Sequence, residues 1–381
     1  MAEFGKAVRG LWQLDPAVIH LNHGAFGATP RDVLQVQQEL RDEIERSPSG
    51  YFGAQHFSRL RAAAVQVARR LGTPDDDLAF VDNATAGANA VLRSLALSVG
   101  DEVLLTDSTY GAITNAARHV AAAAGALVRT VSLDLAADEA ELVQRLEAAL
   151  GPRTRLAILD HVVSENGHVL PISRLIQRCR RRGVPVLVDG AHAPGQFAFS
   201  IGSLDADYYV ANLHKWAFAP RSCGILWARP KWRDRLHPAV ISWGYGQGVA
   251  AEFDWVGTRD FTPWLAAPAG FDFLDRLGAT AVAEHNRELA HWAGAHLAER
   301  WRTGTAVPLA RSHAMLAVRL PGPQPATLEG AAARRHLIWA ERRIDASIVP
   351  AHGALWARLC AQVYNTREDF IALGEALASD G

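Results

Sequence analysis

Short apolar runs alternate with amphipathic stretches over the first two thirds of the chain. The runs at residues 78–81, 102–106, 127–131, 155–159, 185–188, 207–210 and 224–228 read as strands. Helix-like stretches separate most of them, and two more precede the first, one from about 56 to 71 closed by Gly72 and one started by Thr29-Pro30-Arg31-Asp32. There the Thr29 hydroxyl is read as the N-cap, with proline in the first turn and an acid near the positive helix end. Such alternation predicts an α/β fold with a mostly parallel seven-stranded sheet covered by helices on both faces. From about Trp243 the pattern changes. Two long helices at 263–277 and 280–301 lead into a smaller α+β unit with strands at 314–320, 344–349 and 355–361. The expected division is an N-terminal segment 1–28, a large domain 29–245 and a small domain 246–381, with 321–325 (PGPQP) a surface turn.

Composition narrows the function classes. The 381 residues are 49% hydrophobic and 21% charged with a net charge of −1, so no basic face is expected for nucleic acid or anionic lipid. A small-molecule ligand is the expected partner. Cys179, Cys223 and Cys360 lie far apart without metal spacing, which argues against a disulfide framework or a metal site and for a reducing cytoplasm. Neither a signal-peptide core nor an apolar run of membrane-spanning length is expected. Gly244-Tyr245-Gly246-Gln247-Gly248 has the wrong spacing and place for a dinucleotide fingerprint.

The chemistry concentrates in VLVDGAHAPGQFAFSIGSLDADYYVANLHKWAFA, residues 186–219. Asp189 ends an apolar strand, at the sheet edge where α/β folds place ligands. Lys215, alone among apolar and aromatic neighbours, loses its proton easily and becomes a nucleophile for a carbonyl. An acid and an amine on adjacent strand ends, with His192 between them, suit pyridoxal 5′-phosphate: the lysine holds the aldehyde as a Schiff base and the aspartate pairs with the protonated ring nitrogen. The freed amine of Lys215 is then the base at the substrate Cα. Upstream, NATAG (83–87) opens a helix expected to run through Leu92 and Leu97. Alone it reads as an N-cap. Placed before Asp189 and Lys215 it reads as a phosphate cradle, with Thr85 and Ala86 as contacts. Arg358, in a strand candidate, offers a fork for a substrate carboxylate, whereas Arg367 belongs to a helix start capped by Thr366 and Asp369.

DGAHAPG, HKW, NATAG, GTRD and VYNTRED, in this order of chemistry and spanning Leu21 to the C-terminal region, resemble the class V aminotransferase family of fold type I, and within it the isopenicillin N epimerase-like members. The resemblance implies that Tyr110 stacks on the cofactor ring, His192 bonds the ring hydroxyl, and His214 joins the phosphate site. It implies a homodimer in which Thr258 reaches the neighbouring subunit's phosphate. His161 is a weaker candidate near the ring. Epimerisation, β-elimination at a C–S bond and transamination all start from the same Cα–H cleavage. Persulfide transfer is not expected, because no cysteine lies between Ser312 and His352. Epimerisation leads on the likeness of LNHGAFG, ISWGYG and GTRDFTPWLA. It needs a second acid/base, for which Tyr110 or His23 could serve, with Asn22 and His23 as substrate contacts beside Arg358. Where the family pattern has Ser or Thr, Cys360 stands here.

Overall fold

A computed structural model of the chain describes residues 4–73, 78–134, 137–323 and 325–378; Gln324, within the expected 321–325 turn, lies outside them. The main sheet has seven strands in the spatial order Leu78–Val81, Gly224–Ala228, Tyr208–Asn212, Val186–Asp189, Thr154–Asp160, Glu102–Thr106 and Leu127–Val131. Only Gly224–Ala228 runs antiparallel to its neighbours. This is the α/β fold read from the sequence.

Alternation along the central strands divides the core into two layers. Ile158, Leu187 and Val210 pack with the helices Ala84–Arg93 and Gly111–Ala124. Ala157, Leu159, Val186, Val188 and Tyr209 face the other way, against His56–Leu71, Glu139–Ala149 and Ile172–Arg181. Burial on both faces explains why the central strands carry continuous apolar runs, whereas the edge strand Leu127–Val131 is largely exposed. Asp160 and Asp189 continue the parity of Ile158 and Leu187, which brings both carboxylates to the face covered by Ala84–Arg93.

A second core forms where the antiparallel strands Ser347–Ala351, Ala354–Cys360 and Met315–Arg319 meet the helices Ala279–Trp301, Leu328–Arg342 and Arg367–Ala378. The N-terminal segment ties into it, with Ile19 paired to Ile344 and Leu21 buried. Phe261, Trp264 and Phe271, expected in the small domain, belong instead to the core of the large sheet.

Several local expectations need correction. Thr29 does not cap the helix Arg31–Arg46: Pro30 holds that place and the Thr29 hydroxyl donates to the Ala219 carbonyl at 3.4 Å. The expected helix at 263–277 is two, Thr262–Leu265 and Ala267–Leu277, because Pro268 has no N–H to continue the ladder. The NATAG helix stops at Arg93, where the Ser94 hydroxyl takes the Ala90 carbonyl at 2.7 Å. The strand at 344–349 divides at Ala346, its first part pairing with Ile19–His20 and its second with Ala354–Cys360. Among the described residues no helix is long and apolar enough to cross a membrane, and no cluster could hold a metal.

Candidate active site

A cavity of about 380 Å³ opens at the carboxyl edge of the sheet, lined by Asp160, Asp189, Lys215, Thr85, Tyr110 and Phe26 among others. All but Phe26, which comes from the short helix His23–Phe26, end or follow strands of the main sheet, the position that the parallel topology leaves open.

Asp189 is 4% exposed, and its Oδ1 accepts the Ala191 N–H at 2.9 Å. Burial raises its pKa, and the Lys215 charge partly opposes this. Lys215 is lowered to about 8, first by burial and then by the positive charge of Arg358. A minor but far larger neutral fraction at physiological pH than an exposed lysine has follows. Its Nζ lies 3.2 Å from His192 Nε2, which also lies 3.3 Å from the Ser164 hydroxyl. The Trp216 indole N–H donates to His192 Nδ1 at 3.4 Å, so in the neutral ring the proton sits on Nε2 and points at the cavity. Burial holds His192 in that neutral form.

The NATAG helix start is braced from two sides. Asn83 Oδ1 accepts the Ala86 N–H at 2.9 Å, and Asn212 Oδ1 accepts the Ala84 N–H at 2.8 Å. Thr85 lines the cavity, whereas Ala86 has its N–H committed to the cap. Close approach matters here: a Cβ on Gly87 would lie 2.7 Å from Val210 Cγ1, so only glycine lets the helix sit on the strand. His214 also lines the cavity; its Nδ1–H donates to the Cys223 carbonyl at 2.8 Å, and burial lowers it to about 4. The Lys215 loop is gripped from behind by LNHGAFG. Gly27 has φ 67°, and a Cβ there would lie 1.8 Å from the His214 carbonyl oxygen. Phe218 and Ser222 hold positive φ on the same loop, backbone strain of the kind that clusters at functional sites.

Arg358, 7% exposed, sits at the cavity edge rather than in its lining. Its Nη1 donates to the Ser164 carbonyl at 2.8 Å and its Nη2 to Asn22 Oδ1 at 3.4 Å, leaving the buried Nε–H without an acceptor. An orphaned buried donor is costly, and a ligand carboxylate would satisfy it. Asn22 also donates to Asp345 at 3.1 Å. His23 does not face the cavity. Its Nδ1 meets the Tyr364 hydroxyl at 2.8 Å and its Nε2 the Lys215 carbonyl at 3.1 Å, and burial lowers it to about 3, so it braces the lysine loop. His161 is likewise taken, by the Tyr209 hydroxyl at 2.9 Å. Thr258 lies in a different hollow of the same chain, beside Arg41 and Arg221. Cys360 is fully buried with its thiol pushed up. Among the cavity residues that the sequence did not point to are Asp160, Ser164, Asn212 and Phe26.

The residues present fit pyridoxal phosphate. An isolated buried carboxylate costs several kcal/mol, and a protonated ring nitrogen would answer Asp189. A helix start with Thr85 suits a phosphate, and a desolvated amine suits an aldehyde.

Comparison with known proteins agrees. The model of the family described as aminotransferase class V matches residues 19–337. Isopenicillin N epimerase of Streptomyces clavuligerus is 35% identical, over 98% of this chain and 97% of the relative, and that of Amycolatopsis lactamdurans 36%, over 96% and 95%. A probable chloroplastic L-cysteine desulfhydrase of Arabidopsis thaliana is 31% identical, over 95% and 83%. Among solved structures, a C-DES variant with glycine covalently linked to its pyridoxal phosphate superposes with TM-score 0.85 at 24% identity, covering 98% of this chain and 99% of the other. That likeness shows the fold.

Proposed function

The chain belongs to the class V aminotransferase family, and from that premise we propose that it binds pyridoxal phosphate and inverts the Cα of an amino acid or amino-acid-containing metabolite, as an epimerase or racemase. The 35–36% identity to two isopenicillin N epimerases over nearly the full length carries this reading. When bound, the cofactor supplies an electron sink that makes the substrate Cα–H acidic. Lys215 would hold the aldehyde, and its amine would take the Cα proton. Asp189 keeps the ring nitrogen protonated. The His192 Nε2–H would donate to the ring hydroxyl, Tyr110 would stack on the ring, and Thr85 and His214 would flank the phosphate, with Ala86 closing the helix start behind them through its bond to Asn83. Arg358, with Asn22 and Ser164 beside it, orients the substrate carboxylate.

Inversion needs a second proton carrier on the face opposite Lys215. Tyr110 lines the cavity and is 48% exposed, so it can exchange a proton with solvent; His23, with both nitrogens engaged, supports the site from behind. The protein acts as a homodimer in which Thr258 completes the partner's phosphate site, a role in keeping with its distance from its own chain's cavity. A second reading, β-elimination at a C–S bond, is favoured by the desulfhydrase relatives. Incubating the enzyme with a panel of L-amino acids and peptides in deuterated water separates the two. Deuterium at Cα with inverted configuration supports the epimerase, and release of pyruvate and sulfide without inversion replaces it with the lyase.

A further inference from the structure

The cavity holds an acid that the chemistry above does not use. Asp160 ends the strand Thr154–Asp160, lines the same cavity, is 2% exposed, and its Oδ2 has no hydrogen-bond partner. It is the register partner of Asp189 on the neighbouring parallel strand. In-register residues on adjacent strands project from the same face about 4.8 Å apart, so the two carboxyls stand side by side. Of Asp189, one oxygen is held by the Ala191 N–H, and the remaining lone pairs are free for other donors.

No cation answers Asp160. The charges acting on it are those of Asp189 and, more weakly, Glu165, both negative, and its stabilising contact is its own backbone N–H. Lys215 acts on Asp189 instead. The cavity it lines also holds Tyr110, Ser164 and the neutral His192 and His214, while the sheet face on that side is covered by the apolar side of Ala84–Arg93. Two carboxylates cannot both stay charged so close together in a dry pocket, and one keeps its proton. Burial first, then the Asp189 charge, push Asp160 well above the usual carboxylate range, while Asp189 has Lys215 and the Ala191 N–H to oppose its rise.

We propose that Asp160 is a positioning residue for Asp189: it stays a neutral carboxylic acid and donates its O–H to the Asp189 carboxylate, fixing the orientation of that anion and tempering its charge. This satisfies the orphaned oxygen and leaves one net negative charge for a ring nitrogen, where two would over-hold the proton. The inference rests on the cofactor reading only in naming what Asp189 faces.

Infrared spectra of the holoenzyme carrying carbon-13 aspartate, recorded at neutral pH, test it. An isotope-shifted band of a protonated aspartyl carboxyl is expected in the wild type and absent in Asp160→Asn. A second readout is the pH at which the absorbance of the lysine-bound cofactor changes. Asp160→Asn, which keeps a neutral donor, should leave that midpoint in place. Asp160→Leu, which removes the donor, should raise it by about half a pH unit or more, because an undamped Asp189 holds the ring proton more tightly. Absence of the protonated band in the wild type, its survival in Asp160→Asn, or coincident titrations of all three proteins would each overturn the proposal. If Asp160→Leu does not fold, the infrared comparison decides alone. A protein that never turns yellow would refute the cofactor reading, while the band would still settle the state of Asp160.

Discussion

The two jobs proposed for Lys215, nucleophile for an aldehyde and base at Cα, both need a neutral amine, and burial supplies one. An exposed lysine, with a pKa near 10.4, is almost wholly protonated at neutral pH and a poor nucleophile. Lowered to about 8, the same amine captures an aldehyde readily. The rate at which cofactor-free protein takes up the cofactor should therefore rise with pH and level off above about 8, followed by the growth of visible absorbance. A rate independent of pH between 6 and 9 would contradict the lowered amine. As the Cα base, Lys215 should contribute about 10²–10⁴-fold, so Lys215→Ala should lose at least that much Cα–H exchange. That Lys215 and Asp189 line one cavity was legible because each follows an apolar strand, where a charged group is costly unless something answers it. Asp160 carries the same signal, the run Ala157-Ile158-Leu159 ending in an acid. What the sequence could not show is the register that sets Asp160 beside Asp189, since the two strands are joined through a helix and register is fixed by packing. His23 misled for a related reason: a polar residue in a glycine-rich loop looks accessible, and only the fold reveals Tyr364 and the Lys215 carbonyl on either side of it.

At the scale of elements, the site depends on loops pressed against one another more than on any single strand. Gly27 meets the His214 carbonyl in a left-handed conformation, so Gly27→Ala should cost more than about 1 kcal/mol and displace the lysine loop. The expected result is a lower melting temperature together with weaker cofactor retention; an unchanged variant in both respects would show that the loops do not constrain each other. Strands were readable because burial on both faces writes continuous apolar runs. Helix boundaries were less so: Pro268 divides a segment whose apolar spacing continues across the break, and Thr29 resembles a cap yet gives its hydroxyl to Ala219. In both cases a tertiary or backbone constraint overrode a local preference.

At the scale of the whole molecule, several histidines are buried neutral. His161 and His214 are lowered to about 4, and His23 to about 3, burial being the first cause in each. An unfolded chain binds those protons near pH 6.5 and the folded one does not, so folding stability is retained above that pH and falls as pH drops toward 4. Asp160 and Asp189 act with the opposite sign, being protonated more readily when folded. Thermal melts of cofactor-free protein should thus decline from pH 7 to 4, and His161→Phe should flatten the decline; a slope unaffected by that change would remove His161 from the account. The proposed subunit association is tested at the same scale. Thr258→Val should weaken phosphate retention by roughly tenfold, a loss of one good hydrogen bond to a charged group. Mixing it with Lys215→Ala subunits should restore activity in hybrid dimers, each having one site with both residues; no recovery would argue that Thr258 serves its own chain.

The sequence contains three lysines, Lys6, Lys215 and Lys231, of which Lys231 is exposed and paired with Asp207. Treating the yellow protein with borohydride fixes the cofactor to whichever amine holds it, and peptide mass mapping then identifies the residue. One reduced pyridoxyl phosphate per chain on Lys215 is the predicted result; its absence there, or its appearance on Lys6 or Lys231, would contradict the site built around Lys215 and Asp189.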